Sequence, residues 1–397
     1  MNKKIKIILL VLSLFIILAL LWYFWWIKRD SVDAEKQEEQ KQEILKVIED
    51  RIATQVREND DADPFGEDGL ARILLIGLDS RAGQTFGHCD VIQMLEIDKN
   101  KSNVQITAVP RGTYSSLPPG KAVTSTDYYV SNACGLAGLD YGIKQIEKIL
   151  GKKADYLVVV GFSETLGILR SFDLPTTETL QWLRQRQGYR IGEPQRARNH
   201  STFIKQMMTK YIPEKNSKFD LPFHYLIYKI IKTDLSFEES EKIIGVLSEM
   251  ELSKNSDKIS LAMRPSYDVE DIPYNSENVE EYVKKMIDPV KNYLKGSSYT
   301  GVTLEEADAK VLATYNERKT EKEFVNWAFE NNLWMQVEDE EARETLHLEI
   351  LQDYLKSISE VKKKEDILTD YILEMKYLGL EDWASKGEKI LEEEIVK

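Results

Sequence analysis

Residues 71–98 read ARILLIGLDSRAGQTFGHCDVIQMLEID, an apolar run, a polar loop and a second apolar run, with Asp79 closing the first run and Asp90 opening the second. Each run has a strand's length, is rich in β-branched and large apolar residues, and is flanked by Gly77 or Gly87, a pattern that predicts strand, loop, strand. If both strands lie in one sheet, the two carboxylates reach the same crevice at the strand ends, where open α/β sheets bind ligands. Two carboxylates there suit a hard divalent cation with a phosphate ligand. Asp also stands beside strand ends simply because it makes turns, so the spacing alone leaves both readings open.

Around this stretch lies a chain of 397 residues with 42% hydrophobic content, long enough for more than one unit and for a sizeable core. A net charge of -14 argues against a nucleic-acid-binding role, and against that background local basic patches stand out. The two cysteines, Cys89 and Cys134, cannot make a disulfide framework and form no zinc-like pair. They are equally compatible with one bridge or with two buried or reactive thiols.

Residues 7–27, IILLVLSLFIILALLWYFWWI, carry no charge over a length that crosses a hydrocarbon core, and predict an uncleaved transmembrane anchor. Lys3, Lys4 and Lys6 favour a cytoplasmic tail at residues 1–6 and an extracellular main domain, although Lys28 and Arg29 follow the run. Trp22, Tyr23, Phe24, Trp25 and Trp26 make an aromatic belt at the outer interface. Residues 28–69 read as a charged helical stalk, with Ile44, Ile48, Ile52 and Val56 at helical spacing, ending in an acidic linker between Asp60 and Gly69. The stripe suits pairing with a neighbour or resting on the main domain. Pro64 and Phe65 stand where a calcium loop wants other residues, which favours a solvated linker.

Beyond Asp98 come a strand at NVQITAV, the stretch PRGTY with Arg111, and an amphipathic helix after Asn132 with Leu136, Leu139, Ile143, Ile146, Ile149 and Leu150 on one face. A β-rich run, DYLVVVGF, follows. The alternation means α/β. Taken in order, ILLIGLDSR, the spaced Asp90, VPRGTY, SNACGLAGLDYGIKQIEKILG and ADYLVVVGF resemble the LytR-CpsA-Psr family of membrane-anchored cell-wall glycopolymer transferases. TLQWLRQRQGYRIGEPQRARNHSTFIKQ resembles that family's arginine-rich segment, and TDLSFEESEKIIGVLSEM with ISLAMRP its closing helix and strand, so the likeness runs from Ala71 to Leu294.

The resemblance implies an αβα sandwich around a mixed central sheet at residues 70–295. It also implies transfer of a glycan phosphate from a polyprenyl-pyrophosphate-linked glycopolymer to peptidoglycan at the outer face of the membrane. Asp79 and Asp90 would hold Mg²⁺ against the pyrophosphate. Catalysis is expected from Asp79, Asp90, Arg111 and Arg184, and pyrophosphate binding from Arg81, Arg111, Arg184, Arg186, Arg196, Arg198, His88 and Asn132. In an acidic protein, five arginines between Arg184 and Arg198 with only Glu193 as an acid favour an anionic partner, while pairing with nearby acids is the plain alternative for any one of them. For Asn132 the alternative is a helix cap. For His88 it is a surface loop position, and Cys89 and Cys134 read as packed residues near the site.

The chain departs from the family at Gly112, where an Asp is expected beside Arg111. It departs again at Val130 in place of a Lys, at Asn199 and His200 in place of an Arg-Gln pair, and in the short stretch from Phe172 to Thr179. These departures motivate a second reading, a catalytically weak polyprenyl-phosphate-binding receptor or scaffold that recruits proteins through the stalk or the tail. Residues 296–397 read as an acidic, all-helical extension, with apolar stripes at Phe324, Trp327 and Ala328, at Ile350 to Ile358, and at Ile367 to Met375.

Overall fold

The structure, a computed structural model, describes residues 45–53, 63–78, 87–214, 220–288 and 304–396. Residues 7–27 lie outside these, as do Ile44, Val56, Asp79, Arg81 and the linker around Gly296. Among the described residues no helix is long and apolar enough to cross a membrane.

The chain builds a mixed six-stranded sheet in the order β5-β4-β1-β2-β3-β6. Its strands are β1 (Leu70–Leu78), β2 (Cys89–Asp98), β3 (Asn103–Ala108), β4 (Tyr156–Val160), β5 (Lys232–Thr233) and β6 (Ile259–Met263). β1, β2 and β3 form an antiparallel meander, whereas β4 runs parallel to β1 and β6 parallel to β3. Strand pattern decides the layers. Alternate residues of β1 and β2 point to opposite faces, so Leu74, Ile76, Ile92 and Met94 pack against one set of helices while Ala71, Ile97, Val104 and Ile106 pack against another.

The helices follow in chain order. α1 (residues 45–53) precedes the sheet; α2 (Val130–Ala137) and α3 (Leu139–Leu150) join β3 to β4; α4 (Phe162–Ser171), α5 (Thr176–Arg184), α6 (Gly192–Tyr211) and α7 (Leu221–Ile230) lie between β4 and β5. α8 (Phe237–Glu249) precedes β6 and α9 (Val279–Ile287) follows it. α8 begins at a capping box, in which Ser236 accepts from the amide of Glu239 and Glu239 accepts from that of Ser236.

Two expectations change, for the helix after Asn132 and for the acidic linker, and of the two readings of the stalk one is met. The helix read after Asn132 is two helices, broken at Gly138, whose φ of 95° a side chain would strain. Val47 and Ile48 of α1 are buried in the main core while Ile52 is exposed, so the described part of the stalk rests on the sheet domain. Arg51 fixes it there by donating to Asp234 Oδ2 at 2.6 Å and to the carbonyls of Ala154 and Asp155. The acidic linker is not wholly solvated. Phe65 is buried in the second core cluster, and Lys99 reaches back to Asp63.

The extension is helical: α10 (Leu304–Arg318), α11 (Lys322–Glu330), α12 (Glu340–Leu355), α13 (Val361–Tyr377) and α14 (Glu381–Val396). Phe324, Trp327, Ala328, Ile350, Leu351, Leu368, Tyr371 and Met375 form its cores. It docks on the sheet domain through polar contacts with α4 and α7. Gln336 donates to Ser163 at 2.9 Å, Arg170 pairs with Glu338 at 3.3 Å, and Tyr225 donates to Asp370 at 3.0 Å. Gly167 allows the close approach, because a Cβ there would stand 2.4 Å from the sulfur of Met335.

Candidate functional site

The end of β1 and the start of β2 meet at one edge of the sheet, and the register there is irregular. Gly77 pairs with Val91 and Leu78 with Cys89, so Asp90 is the residue left over. A bulge re-aims the side chain it carries. Gly77 is required opposite it, since a Cβ would stand 2.8 Å from that of Val91. Asp79 and Arg81 lie outside the described residues.

Beside β2, β3 ends at Ala108, and the chain turns so that Arg111 ion-pairs with Asp90 Oδ1. The first turn of α6 faces the same place. Glu193 accepts from Arg186 Nη1 at 2.6 Å, its Oε2 stands 2.8 Å from Arg196 Nη2, and it lies 3.9 Å from Arg111 Nε. Three guanidinium groups thus converge on two carboxylates at the crevice. The 2.8 Å approach of Arg196 to Glu193 lacks hydrogen-bond alignment, and neither of those two buried atoms has a hydrogen-bond partner among the described residues. A buried guanidinium with an unspent donor is suited to a further acceptor.

Electrostatics follow from the packing. Burial opposes the charge on Glu193, but Arg196, Arg186 and Arg111 outweigh it and hold the carboxyl below its ordinary value. Arg196 is 7% exposed, and burial lowers its pKa against the opposing pull of Glu193 and Asp90. His200, one turn on, is brought down to about 4 by burial and by Arg196, so it is neutral near pH 7 and binds the Leu183 carbonyl at 2.7 Å.

The remaining expected residues divide. Arg184 ends α5, two residues before Arg186. Arg198 does not join the cluster; it donates to Asp271 Oδ1 at 2.5 Å, because two residues along a helix turn a side chain to the opposite face. Arg190 pairs with Asp268 at an exposed position. Asn132 is not the cap of α2, since Tyr129 holds that position; Asn132 Nδ2 instead donates to the Thr126 carbonyl at 2.8 Å. His88 is half-buried, and its Nδ1 has no hydrogen-bond partner among the described residues. Cys89 and Cys134 are joined in a disulfide that ties the start of β2 to α2, so neither is a thiol here.

Sequence reading did not single out Gln93, which sets the site's height. Fully buried on β2, it donates to the Ala197 carbonyl at 3.1 Å and accepts from Ser201 Oγ at 2.7 Å, pinning the first half of α6 to the strand. A glutamine in the run VIQMLEI was the available signal.

Comparison with known proteins adds to this geometry. The LytR_cpsA_psr family matches residues 24–165. The match spans less than half of the chain. That segment contains Asp79, Asp90, Arg111 and Asn132, and ends before the arginine-rich run of the LytR-CpsA-Psr resemblance. Solved structures similar to the chain include Bacillus subtilis TagV, at 16% identity and a TM-score of 0.40, covering 56% of this chain and 99% of that one. TagT bound to LIIa-WTA is similar at 15% identity and a TM-score of 0.40, covering 59% and 96%. TagT with bound octaprenyl pyrophosphate lipid is similar at 15% identity and a TM-score of 0.35, covering 59% and 95%. No curated protein sequence matches the chain.

Proposed function

We propose that the chain transfers a glycan phosphate from a polyprenyl-pyrophosphate-linked glycopolymer to peptidoglycan at the outer face of the membrane, with Mg²⁺ as cofactor. The observation that carries this reading is the convergence of Arg111, Arg186 and Arg196 on the crevice beside Asp90, in a chain whose residues 24–165 match the LytR_cpsA_psr family. Planar guanidinium groups match the oxygens of a pyrophosphate and concentrate positive charge where an acidic protein has little.

The donor set suits a hard cation. Among the described residues only Oδ1 of Asp90 is engaged, and no group of three His, Cys, Asp or Glu could enclose a metal. An ion that keeps several waters and takes one or two carboxylates with substrate phosphate oxygens needs no such enclosure. Asp79 and Asp90 would hold Mg²⁺, which neutralises charge that builds up as the phosphoanhydride breaks. The chain's own residues do the rest. Arg111, Arg186 and Arg196 bind the non-bridging oxygens, displacing Glu193, which offsets their charge in the free protein. An acceptor hydroxyl attacks the phosphorus attached to the glycan, and the bond to polyprenyl phosphate breaks. The hydroxyl proton passes to a base, for which Asp79 is the candidate.

A second reading, a receptor or scaffold that binds polyprenyl phosphate without turnover, draws on the occupied state of Arg111. It is paired with Asp90, and Gly112 supplies no carboxylate beside it. One assay separates the two. Detergent-purified full chain, given lipid-linked glycan and peptidoglycan, is expected to show Mg²⁺-dependent transfer that Asp79→Ala abolishes. Transfer indifferent to that substitution sinks the metal assignment, and tight lipid binding with no product under any metal favours the receptor.

A further inference from the structure

A cavity of about 660 Å³ opens between the sheet domain and the helical extension, walled by α4 and α7 on one side and by α11, α12 and α13 on the other. Its size falls within the range of roughly 300–1,000 Å³ typical of small-molecule sites. It shares no residue with the arginine crevice.

The polar groups in its wall are unevenly matched. The cations are committed: Arg170 to Glu338 at 3.3 Å, Lys229 to Asp370 at 2.7 Å, Lys232 to Glu164 at 3.2 Å, and Arg343 to Glu344 Oε1 at 2.9 Å. The acceptors are not. Glu344 and Tyr371 are each 3% exposed, yet Glu344 Oε2 and the Tyr371 hydroxyl have no hydrogen-bond partner among the described residues. His347 Nδ1 stands 3.5 Å from that Glu344 oxygen without forming a hydrogen bond. Glu374 lines the cavity with no ion-pair partner among the described residues, and burial together with Glu344 and Asp370 raises its carboxyl above the ordinary value.

A cavity whose wall mixes apolar and charged side chains, with carboxylate oxygens lacking hydrogen-bond partners among the described residues and its arginines and lysines already paired, is suited to a positive ligand. A bare metal ion does not suit it, since no three His, Cys, Asp or Glu side chains among the described residues are placed to hold one. The aromatic lining suits an organic cation. Trp334 stacks on His347 at 3.9 Å, Tyr371 meets the same imidazole edge-on at 4.9 Å, and all three rings form part of the cavity wall.

We propose that this cavity binds a small organic cation, an alkylamine or amine-bearing molecule, with Glu374 and Glu344 Oε2 as its anionic anchors and the Tyr371 hydroxyl as a further acceptor. The ammonium group would supply the donors these atoms lack, and its aliphatic part would occupy the apolar wall.

The test uses detergent-purified full chain and three probes of equal length: 1,5-diaminopentane, 1,5-pentanediol and glutarate. Binding is followed by calorimetry. The diamine is expected to bind saturably, and the diol and diacid at least about tenfold more weakly, the worth of one good charge-assisted contact. Glu374→Gln is expected to weaken the diamine by about tenfold while leaving the melting temperature equal or higher, since it removes a half-buried carboxyl that has no ion-pair partner among the described residues. Tyr371→Phe, which keeps the ring, provides a second reading and is expected to weaken the diamine several-fold. Absence of saturable diamine binding, tighter binding of glutarate or the diol, or unchanged diamine affinity in both variants overturns the proposal.

Discussion

Replacing Glu193 by Gln separates what holds the arginine cluster together from what the cluster is for. In the free protein Glu193 lies 2.6 Å from Arg186 and 2.8 Å from Arg196, with Arg111 at 3.9 Å. Glutamine keeps one acceptor but removes the charge that offsets three guanidinium groups. The carboxylate side chain is 26% exposed, so part of that interaction is screened. Loss of one charge-assisted contact, discounted for that exposure, comes to about 2 kcal/mol, or roughly 2–3 °C in melting temperature for a chain of this size. The same change removes an anion that competes with substrate. Inorganic pyrophosphate is therefore expected to bind the variant about tenfold more tightly than the natural protein and to restore the lost stability. The assay is thermal unfolding with pyrophosphate titrated at fixed ionic strength. A variant that is destabilised and binds pyrophosphate equally or more weakly would refute the idea that these arginines form the anion site. The pH dependence gives a second check. Because the folded pKa of Glu193 lies below 4.5, its contribution is present above that value and is lost as pH falls through the folded value, and Glu193→Gln should lack that limb.

Other outcomes follow from single contacts. His200 is held at about 4 against 6.5, so the unfolded chain takes a proton that the folded one resists, and stability falls by roughly 3 kcal/mol as pH drops from 7 to 4. Denaturant unfolding should show that slope reduced in His200→Gln. Changing both Cys89 and Cys134 to Ser opens a loop of 45 residues and is expected to cost about 4 kcal/mol by the chain-entropy relation, read by calorimetry with and without reductant. Gly77→Ala drives a Cβ to 2.8 Å from that of Val91 and should cost about 1–3 kcal/mol. By moving the bulge at Asp90 it should also weaken pyrophosphate binding, whereas a purely local clash would lower the melting temperature alone.

The sheet edge was legible because its signals are local. Alternation along β1 and β2, and the Asp that opens β2, can be read from neighbouring residues. The arginine run was legible as a group and not residue by residue. Arg196 and Arg198 read as one cluster until they are placed on α6, where two positions' separation sends Arg198 to Asp271. Glu193 looked like the odd acid among cations and proves to be the group they share. Asn132 has the residue type of a cap but enters its helix three positions late. The Cys89–Cys134 bridge depends on bringing α2 against the start of β2, a tertiary fact that no spacing of two cysteines contains. The extension was recognised as helical from its stripes, while its docking through Arg170 and Gln336 joins residues more than a hundred positions apart.

Under the proposed function, the crevice beside Asp90 grips a polyprenyl phosphate. Lipid extraction and mass spectrometry of detergent-purified full chain test it most directly, alongside Arg111→Gln purified identically and checked for folding. A polyprenyl phosphate or pyrophosphate is expected with the natural protein, and its marked depletion from the variant. No such lipid, or equal amounts from both, would contradict it.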